Sequence, residues 1–330
     1  MPARLLSVKR ALSSYFIEHV EPNVVAVARQ QAAIRHLTTY FGKLPLLEVD
    51  IPKCRAYAAA RFDGRITVGK GRGKRNCESQ STIRRELAVL IAAANHALRW
   101  KRLARADFPI IDLPRETPRR RPRILTKENI NEALSVCQSI INERGEAEIV
   151  ARQQLANARG AKIEAAQRGL AKAILYKEVA RQVPSFILIA YYTGARRRAV
   201  THLKKSQVDL KYGRIDFSRE DIRITKKRRP VVPIFPEIRS IVEKLMNESA
   251  TEYLFETPRD LYRPFVRVMS AIGVKAWPHL LRHSRASHML MDGEDPYKVA
   301  KLLGDTLRTV EEVYGHYAVD YLHTKSSLDT

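Results

Sequence analysis

Three prolines spaced four residues apart divide the sequence into two parts. Pro114, Pro118 and Pro122 lie in the segment PRETPRRRPR, and each lacks the backbone N–H that a helix interior or an inner strand requires. The arginines between them also repel one another. We therefore predict an extended interdomain linker at residues 113–123, between one domain at residues 1–112 and a second at residues 124–330.

The first domain has helical periodicity. Apolar residues recur at spacings of three, four and seven over residues 24–41 and again after Ser81, the predicted N-cap of that second helix. The intervening stretch RITVGKGRGKRN combines glycines with clustered cations and predicts a basic loop, which either contacts phosphates or is simply solvated.

The second domain begins with a capping pattern, Thr126 as N-cap and Asn129 three residues later. Residues 143–181 predict an exposed helical hairpin or a coiled-coil-like excursion, to which the sequence assigns no function. An apolar helix is then predicted from Pro184, with Gly194 at its C-terminal end.

Period-two patterning over residues 214–217, 221–225 and 231–234 predicts three short strands. Further on, Asp295 followed by proline predicts the start of a helix, and Gly304 predicts its end. The fold class that follows is mainly α, with a small antiparallel β-sheet in the second domain.

The charge of the chain indicates a polyanionic partner. The 59 Lys and Arg residues exceed the 35 Asp and Glu residues and give a net charge of +24. Nucleic acid is the first candidate, and a membrane surface ranks below it because the sequence has no long apolar run. The candidate DNA-contacting residues are Lys70, Arg72, Lys74, Arg75, Arg84, Arg119, Arg120, Arg121, Arg123 and Lys227.

Cysteine usage and the N-terminus indicate the compartment. Cys54, Cys77 and Cys137 lack metal-ligand spacing and are interpreted as reduced thiols. The first residues lack a signal-peptide pattern. We therefore expect a cytoplasmic, nucleoid-associated protein without a bound metal.

Four short motifs follow one another in the second domain. They are TGAR with Arg196, TKK with Lys226 and Lys227, HLLRHSRA with His279 and Arg282, and LLGDTLRTVEEVY ending at Tyr314. By periodicity alone Tyr314 lies on an apolar stripe and is a candidate core residue. Only the joint order of the motifs favours a functional site.

In this order and spacing the motifs resemble those of the tyrosine recombinase, or phage integrase, family. The resemblance covers most of the second domain, and the first domain resembles the family's helical core-binding domain in pattern and charge only. It implies a DNA strand-exchange enzyme that needs no cofactor, acts on double-stranded DNA as a tetramer, and works with accessory DNA-bending or directionality proteins.

The resemblance also implies a role for each motif residue. Arg196 and Arg282 would clamp the non-bridging oxygens of a phosphodiester while Tyr314 attacks it. Lys226 would protonate the leaving 5′ oxygen, although Lys227 remains an alternative, and His279 would assist proton movement or bind the phosphate. The product would be a 3′-phosphotyrosine bond.

Three features depart from the family pattern. Asp305 stands where the family usually has His or Trp, so its catalytic role is open: it either caps the next turn or orients an arginine, and His283 or His316 would partly compensate. Ala199 replaces a frequent acidic residue, and the helical stretch at 143–181 is longer than usual. A type IB topoisomerase and a DNA-binding protein with a degenerate active site are the two alternatives.

Overall fold

The computed structural model describes residues 6–66, 79–116, 122–218, 229–256 and 261–318. The chain separates into two compact units, Met1–Arg119 and Arg120–Thr330. The predicted fold class is confirmed, since the second unit combines helices with one small antiparallel sheet. The predicted linker at 113–123 stays a prediction, because residues 117–121 lie outside the described part.

Within its described residues, the regular structure of the first unit is helical. The helices are α1 (Val8–Tyr15), α2 (Glu21–Asn23), α3 (Val27–Phe41), α4 (Ile51–Phe62) and α5 (Gln80–Arg99), with a π-helical turn at Phe16–Val20. Their apolar faces meet in one core around Leu12, Leu37 and Leu87, which are fully buried. The two helices predicted from periodicity are therefore confirmed.

The predicted start of α5 was wrong by two residues. Ser79, not Ser81, is the N-cap residue, and the helix begins at Gln80. Ser81 already lies in the first turn, where its carbonyl oxygen accepts a hydrogen bond from Nε of Arg85. Serine favours N-cap positions, but the hydrogen bond from Arg85 is compatible with a helical backbone at Ser81.

The second unit has eight helices and three strands. Most of them pack around one large core, and the last helix packs in a smaller apolar cluster. The helices are α6 (Lys127–Asn157), α7 (Lys162–Thr193), α8 (Arg197–Thr201), α9 (Pro236–Glu248), α10 (Tyr262–Ala271), α11 (His279–Met291), α12 (Pro296–Leu303) and α13 (Leu307–Tyr314). The strands are β1 (Val208–Asp209), β2 (Arg214–Asp216) and β3 (Val231–Pro233). This count covers the described residues alone.

The sheet is antiparallel in the order β1-β2-β3, and Ile215 pairs with Val208 on one side and Val232 on the other. Two of the predicted strands, at 214–217 and 231–234, are confirmed within a residue. The third, at 221–225, lies outside the described residues. The two-residue strand β1 is too short to produce an alternation pattern, so the sequence did not reveal it.

Helices α6 and α7 form an antiparallel hairpin, as predicted for residues 143–181. Thr126 and Asn129 make the predicted capping box at the start of α6, and Gly160 turns the chain with a φ of 56°. Glu148 joins the two helices through Lys177 at 2.9 Å. Although α6 and α7 are the longest helices described, no helix in the described ranges is long and apolar enough to cross a membrane.

Pro184 lies inside α7, so the predicted helix start at this residue was wrong. A proline inside a helix removes one hydrogen bond and costs about 3 kcal/mol. Val183, Phe186 and Ile187, which flank it, are buried in the core of the second unit. Burial of several large apolar side chains recovers about 1.5–3 kcal/mol each, which outweighs the local cost of the proline.

The C-terminal ends of α7 and α12 touch, and each has the predicted glycine. Gly194 follows α7 with a φ of 61°, and Gly304 follows α12 with a φ of 64°. A Cβ atom placed on Gly194 would lie 2.6 Å from Cδ2 of Leu303, the last residue of α12. At this contact glycine is required both by its left-handed backbone and by the lack of space.

We predict that Gly194→Ala destabilises the second unit by about 2–4 kcal/mol, because it adds left-handed strain and a clash with Leu303. The measurement is urea unfolding followed by fluorescence of Trp277 in a Trp100→Phe background, so that only the second unit reports.

Gly169→Ala is the matched control for this substitution. Gly169 lies within α7, and a Cβ atom added there would have no neighbour within 4 Å. We expect it to leave stability unchanged or to raise it by up to about 1 kcal/mol. Equal effects of the two substitutions would contradict the role assigned to the contact between α7 and α12.

Candidate active site

Arg282 is a buried cation on α11 that joins three parts of the second unit. Its side chain is 3% exposed. Nη1 donates to the carbonyl oxygens of Gly194 at 2.7 Å and Leu303 at 2.9 Å, at the ends of α7 and α12, and Nη2 donates to Asp305. The carbonyl groups at a helix C-terminus lack intrahelical partners and carry partial negative charge. The guanidinium therefore supplies hydrogen-bond donors to the unpaired carbonyl groups of two helices, and their partial negative charge stabilises its positive charge.

Asp305 bridges Arg282 to a second arginine. Its Oδ1 accepts from Nη2 of Arg196 at 3.2 Å, while its Oδ2 pairs with Arg282. Arg196 is the N-cap residue of α8 and follows the turn at Gly194. The two guanidinium groups thus converge on one carboxylate, which is the arrangement of an anion-binding site.

The structure decides between the two sequence interpretations of Asp305. Thr306, not Asp305, caps α13, and its hydroxyl accepts from the backbone N–H of Thr309 at 3.1 Å. Asp305 contacts both arginines instead. The capping interpretation is therefore wrong, and the contact with an arginine is present.

Tyr314 is the last residue of α13 and is 3% exposed. It packs with Val310, Leu303 and Leu290 in a small apolar cluster, as its periodicity suggested. Burial raises the pKa of its phenol to about 12, although the charges of Arg282 and Arg196 act in the opposite direction. At neutral pH the hydroxyl is therefore protonated, and it lies within electrostatic reach of the arginine pair.

Two histidines of α11 lie next to this tyrosine. Nδ1 of His283 is 2.8 Å from Oη of Tyr314, and the ring of His279 meets that of His283 edge-on, with centroids 4.6 Å apart. Burial and then the charge of Arg282 lower the pKa of His283.

The pKa of His279 is lowered to about 4, first by desolvation and then by His283, Arg282 and Arg196. His279 is itself exposed, so water offsets part of that desolvation, whereas repulsion from the guanidinium groups persists. Both imidazoles are accordingly neutral at pH 7.

Several predicted residues lie outside the described part of the chain. They are Lys70, Arg72, Lys74, Arg75, Arg119, Arg120, Arg121, Lys226 and Lys227. Arg123 is described and exposed. Arg84 is described and bonds within its own unit, to the carbonyl oxygen of Pro114 at 2.8 Å and to Glu116 at 3.2 Å. The DNA contacts of all these residues remain predictions.

One residue of this site, His283, is more central in the structure than its motif predicted. His283 was considered only as a substitute for the usual histidine or tryptophan, yet it is the histidine hydrogen-bonded to Tyr314. The signal that could have identified it is its spacing of four residues from His279, which places both on one helix face.

Comparison with known proteins was consistent with this geometry. Residues 168–320 match the model of the phage integrase family. The chain is 31% identical over 180 residues to a tyrosine recombinase, XerA, of Thermococcus kodakarensis; the match covers 47% of this chain and 61% of the relative. The chain thus spans less than two thirds of that relative's length.

Two solved structures share the fold. The integrase of transposon Tn1549, in complex with transposon right-end DNA, is 14% identical, with a TM-score of 0.66 covering 97% of this chain and 100% of the other. A lambda integrase tetramer bound to a Holliday junction is 13% identical, with a TM-score of 0.60 covering 91% of this chain and 77% of the other. At this identity the likeness concerns the fold alone.

Over residues 168–320, within the second domain, the chain is therefore similar to the tyrosine recombinase, or phage integrase, family. The resemblance inferred from the four motifs is confirmed.

We predict that Asp305→Asn destabilises the second unit by about 1–3 kcal/mol, because the amide removes the charge that compensates two guanidinium groups, one of them buried. The measurement is again urea unfolding followed by Trp277 fluorescence.

Glu312→Gln serves as the control, since Glu312 pairs at 2.7 Å with Arg308, whose side chain is 86% exposed. An ion pair in that environment contributes little to stability, so we expect no measurable shift of the midpoint. An equal shift in both variants would show that Asp305 is no more than a surface partner.

Proposed function

We propose that this chain is a site-specific DNA recombinase, an integrase that cleaves and rejoins strands through a covalent 3′-phosphotyrosine intermediate. Its biological role would be integration or excision of a mobile element. The observation that carries the proposal is the convergence of Arg196 and Arg282 on one anion, beside a buried Tyr314. The match of residues 168–320 to the phage integrase family model and the similarity to a tyrosine recombinase support it.

The proposed reaction begins when a phosphodiester takes the place of the Asp305 carboxylate between the two arginines. Oη of Tyr314 attacks phosphorus, and the bond to the 5′ oxygen breaks as the phosphotyrosine bond forms. The extra negative charge of the pentavalent transition state falls on oxygens that Arg196 and Arg282 contact. Lys226, or Lys227, would protonate the leaving 5′ oxygen.

A 5′ hydroxyl from another strand then reverses these steps and completes the exchange. The phosphotyrosine conserves the energy of the phosphodiester, so rejoining needs no nucleotide cofactor. The net charge of +24 suits a DNA partner, and the basic residues at 70–75 and 119–123 are the proposed phosphate contacts.

The assembly that we propose on DNA is a tetramer. Its support is the family resemblance and the fold shared with a lambda integrase tetramer bound to a Holliday junction. Accessory DNA-bending or directionality proteins are further proposed partners, and the proposed location is the cytoplasmic nucleoid.

The experiment that tests the reaction starts from a pool of nicked duplexes of randomised sequence. Cleavage next to a nick releases a short fragment and traps the covalent adduct, which resists detergent and can be captured and sequenced. The recovered duplex then becomes the substrate for all variants. Absence of any adduct would favour the DNA-binding protein with a degenerate site.

We predict that Tyr314→Phe abolishes adduct formation and leaves DNA affinity unchanged, because only the attacking oxygen is removed. Tyr317→Phe is the matched control: Tyr317 lies three residues later and its hydroxyl donates to the carbonyl oxygen of Pro122 at 3.3 Å. Adducts that persist in Tyr314→Phe would refute the assignment of the nucleophile.

A second duplex with a free 5′ hydroxyl separates the recombinase from a type IB topoisomerase. A recombinase joins strands from the two different duplexes, whereas a topoisomerase reseals the original strand. We expect strands of the two duplexes to be joined when both duplexes carry the site sequence recovered from the nicked pool.

A further inference from the structure

The hydroxyl of Tyr314 is hydrogen-bonded to an imidazole that the family resemblance offered only as a partial substitute for the histidine or tryptophan usually found at the position of Asp305. Nδ1 of His283, on α11, lies 2.8 Å from Oη of Tyr314, on α13. Resting on the function proposed above, we infer that His283 is the general base that takes the proton of Tyr314 as it attacks phosphorus. The contact is made at the reacting atom itself, so His283 would be a catalytic residue.

The resemblance gives His279 either a part in proton movement or a contact with the phosphate, and the structure favours the second. His279 lies one helical turn before His283 and meets that ring edge-on at 4.6 Å. Within the described residues, the hydrogen bond to Tyr314 belongs to His283. His279 is exposed, which suits a group that meets the incoming phosphate.

The protonation states agree with the inference. His283 is neutral at pH 7, because burial and then the charge of Arg282 lower its pKa while Asp305 opposes them. Burial keeps the phenol of Tyr314 protonated. In the tautomer that carries its proton on Nε2, Nδ1 of His283 is unprotonated and can accept the hydrogen bond from the phenol of Tyr314.

Full proton transfer before attack would be strongly uphill, since the phenol is a much weaker acid than the imidazolium. The transfer must therefore accompany formation of the bond between Oη and phosphorus, which makes the phenolic proton acidic. In this step the Oη–H bond and the bond from phosphorus to the 5′ oxygen break, and the Oη–P and Nδ1–H bonds form. A separate acid, Lys226 in the proposed function, protonates the leaving oxygen.

The reverse step uses the same proton. The 5′ hydroxyl of the new strand attacks the phosphotyrosine, and the imidazolium of His283 returns its proton to Oη as the tyrosine leaves. One residue thus acts as base in cleavage and as acid in rejoining, as microscopic reversibility requires.

The test compares rates of adduct formation at saturating protein on the duplex recovered from the nicked pool. General-base catalysis contributes about 10²- to 10⁴-fold, so we expect His283→Ala to form adduct at least about 100-fold more slowly than the unsubstituted chain. His283→Asn places its amide oxygen where Nδ1 lies, so it can still accept a hydrogen bond from Tyr314 but cannot take its proton, and we expect a comparable loss.

Free imidazole should restore the reaction of His283→Ala, with a rate that increases with the pKa of the imidazole derivative added. A residue that only holds Tyr314 in place would not produce this dependence. Circular dichroism and DNA affinity establish that each variant is folded and bound.

Two results would overturn the inference while leaving the proposed function standing: a rate for His283→Asn within tenfold of the unsubstituted chain, or no rescue of His283→Ala by any imidazole. If the unsubstituted chain forms no adduct, the proposed function fails, and the assignment of His283 fails with it. A separate measurement needs no DNA: the ¹⁵N shifts of His283 should show the proton on Nε2, and a proton on Nδ1 would contradict the inference.

Discussion

The arrangement of the site depends on the compensation of one buried cation. A guanidinium with 3% exposure has lost almost all of its water, and leaving it without partners would cost several kcal/mol. Arg282 meets this constraint by binding the carbonyl ends of α7 and α12 and the carboxylate of Asp305. Two helices must therefore end beside it, and the left-handed glycines that end them, Gly194 and Gly304, follow from the same requirement. Arg196 comes two residues after the first of these glycines, so the end of α7 also brings the second arginine to the site.

The sequence predicted those parts of the fold whose signals are local. The helix ends at Gly194 and Gly304 and the capping box at Thr126 each depend on a few neighbouring residues, and all three are present. The prediction at Pro184 was wrong because the local cost of a proline is smaller than the energy of burying the residues around it, which depends on the whole core. The short strand β1 depends likewise on its partner β2 and not on a pattern of its own.

For the site, the sequence identified the residue types but not which of them meet. His279 and His283 lie four residues apart on one face of α11, and either could face a tyrosine. The choice is made by the docking of α13, whose Val310 packs into the apolar cluster that also holds Leu290, on α11. Contacts between elements distant in sequence leave no local pattern, so the sequence left the contact of Asp305 with an arginine as one of two alternatives and did not indicate that Asp305 reaches both arginines. The motif order indicated a family, whereas the geometry shows which of the motif residues meet.

The presence of Asp305 between the arginines has a consequence for the proposed chemistry. In the free protein the two guanidinium groups hold one negative charge, and a phosphodiester that replaces the carboxylate also carries one. When the phosphodiester replaces the carboxylate, the net charge between the two arginines stays the same. The arginine pair therefore adds little to the affinity for the phosphodiester in the ground state. The pentavalent transition state carries a second negative charge, and the pair attracts it more strongly than either the carboxylate or the diester. Only interactions that strengthen in the transition state accelerate a reaction. In the proposed reaction, an internal carboxylate at this position would therefore direct the arginines toward catalysis and away from tight binding.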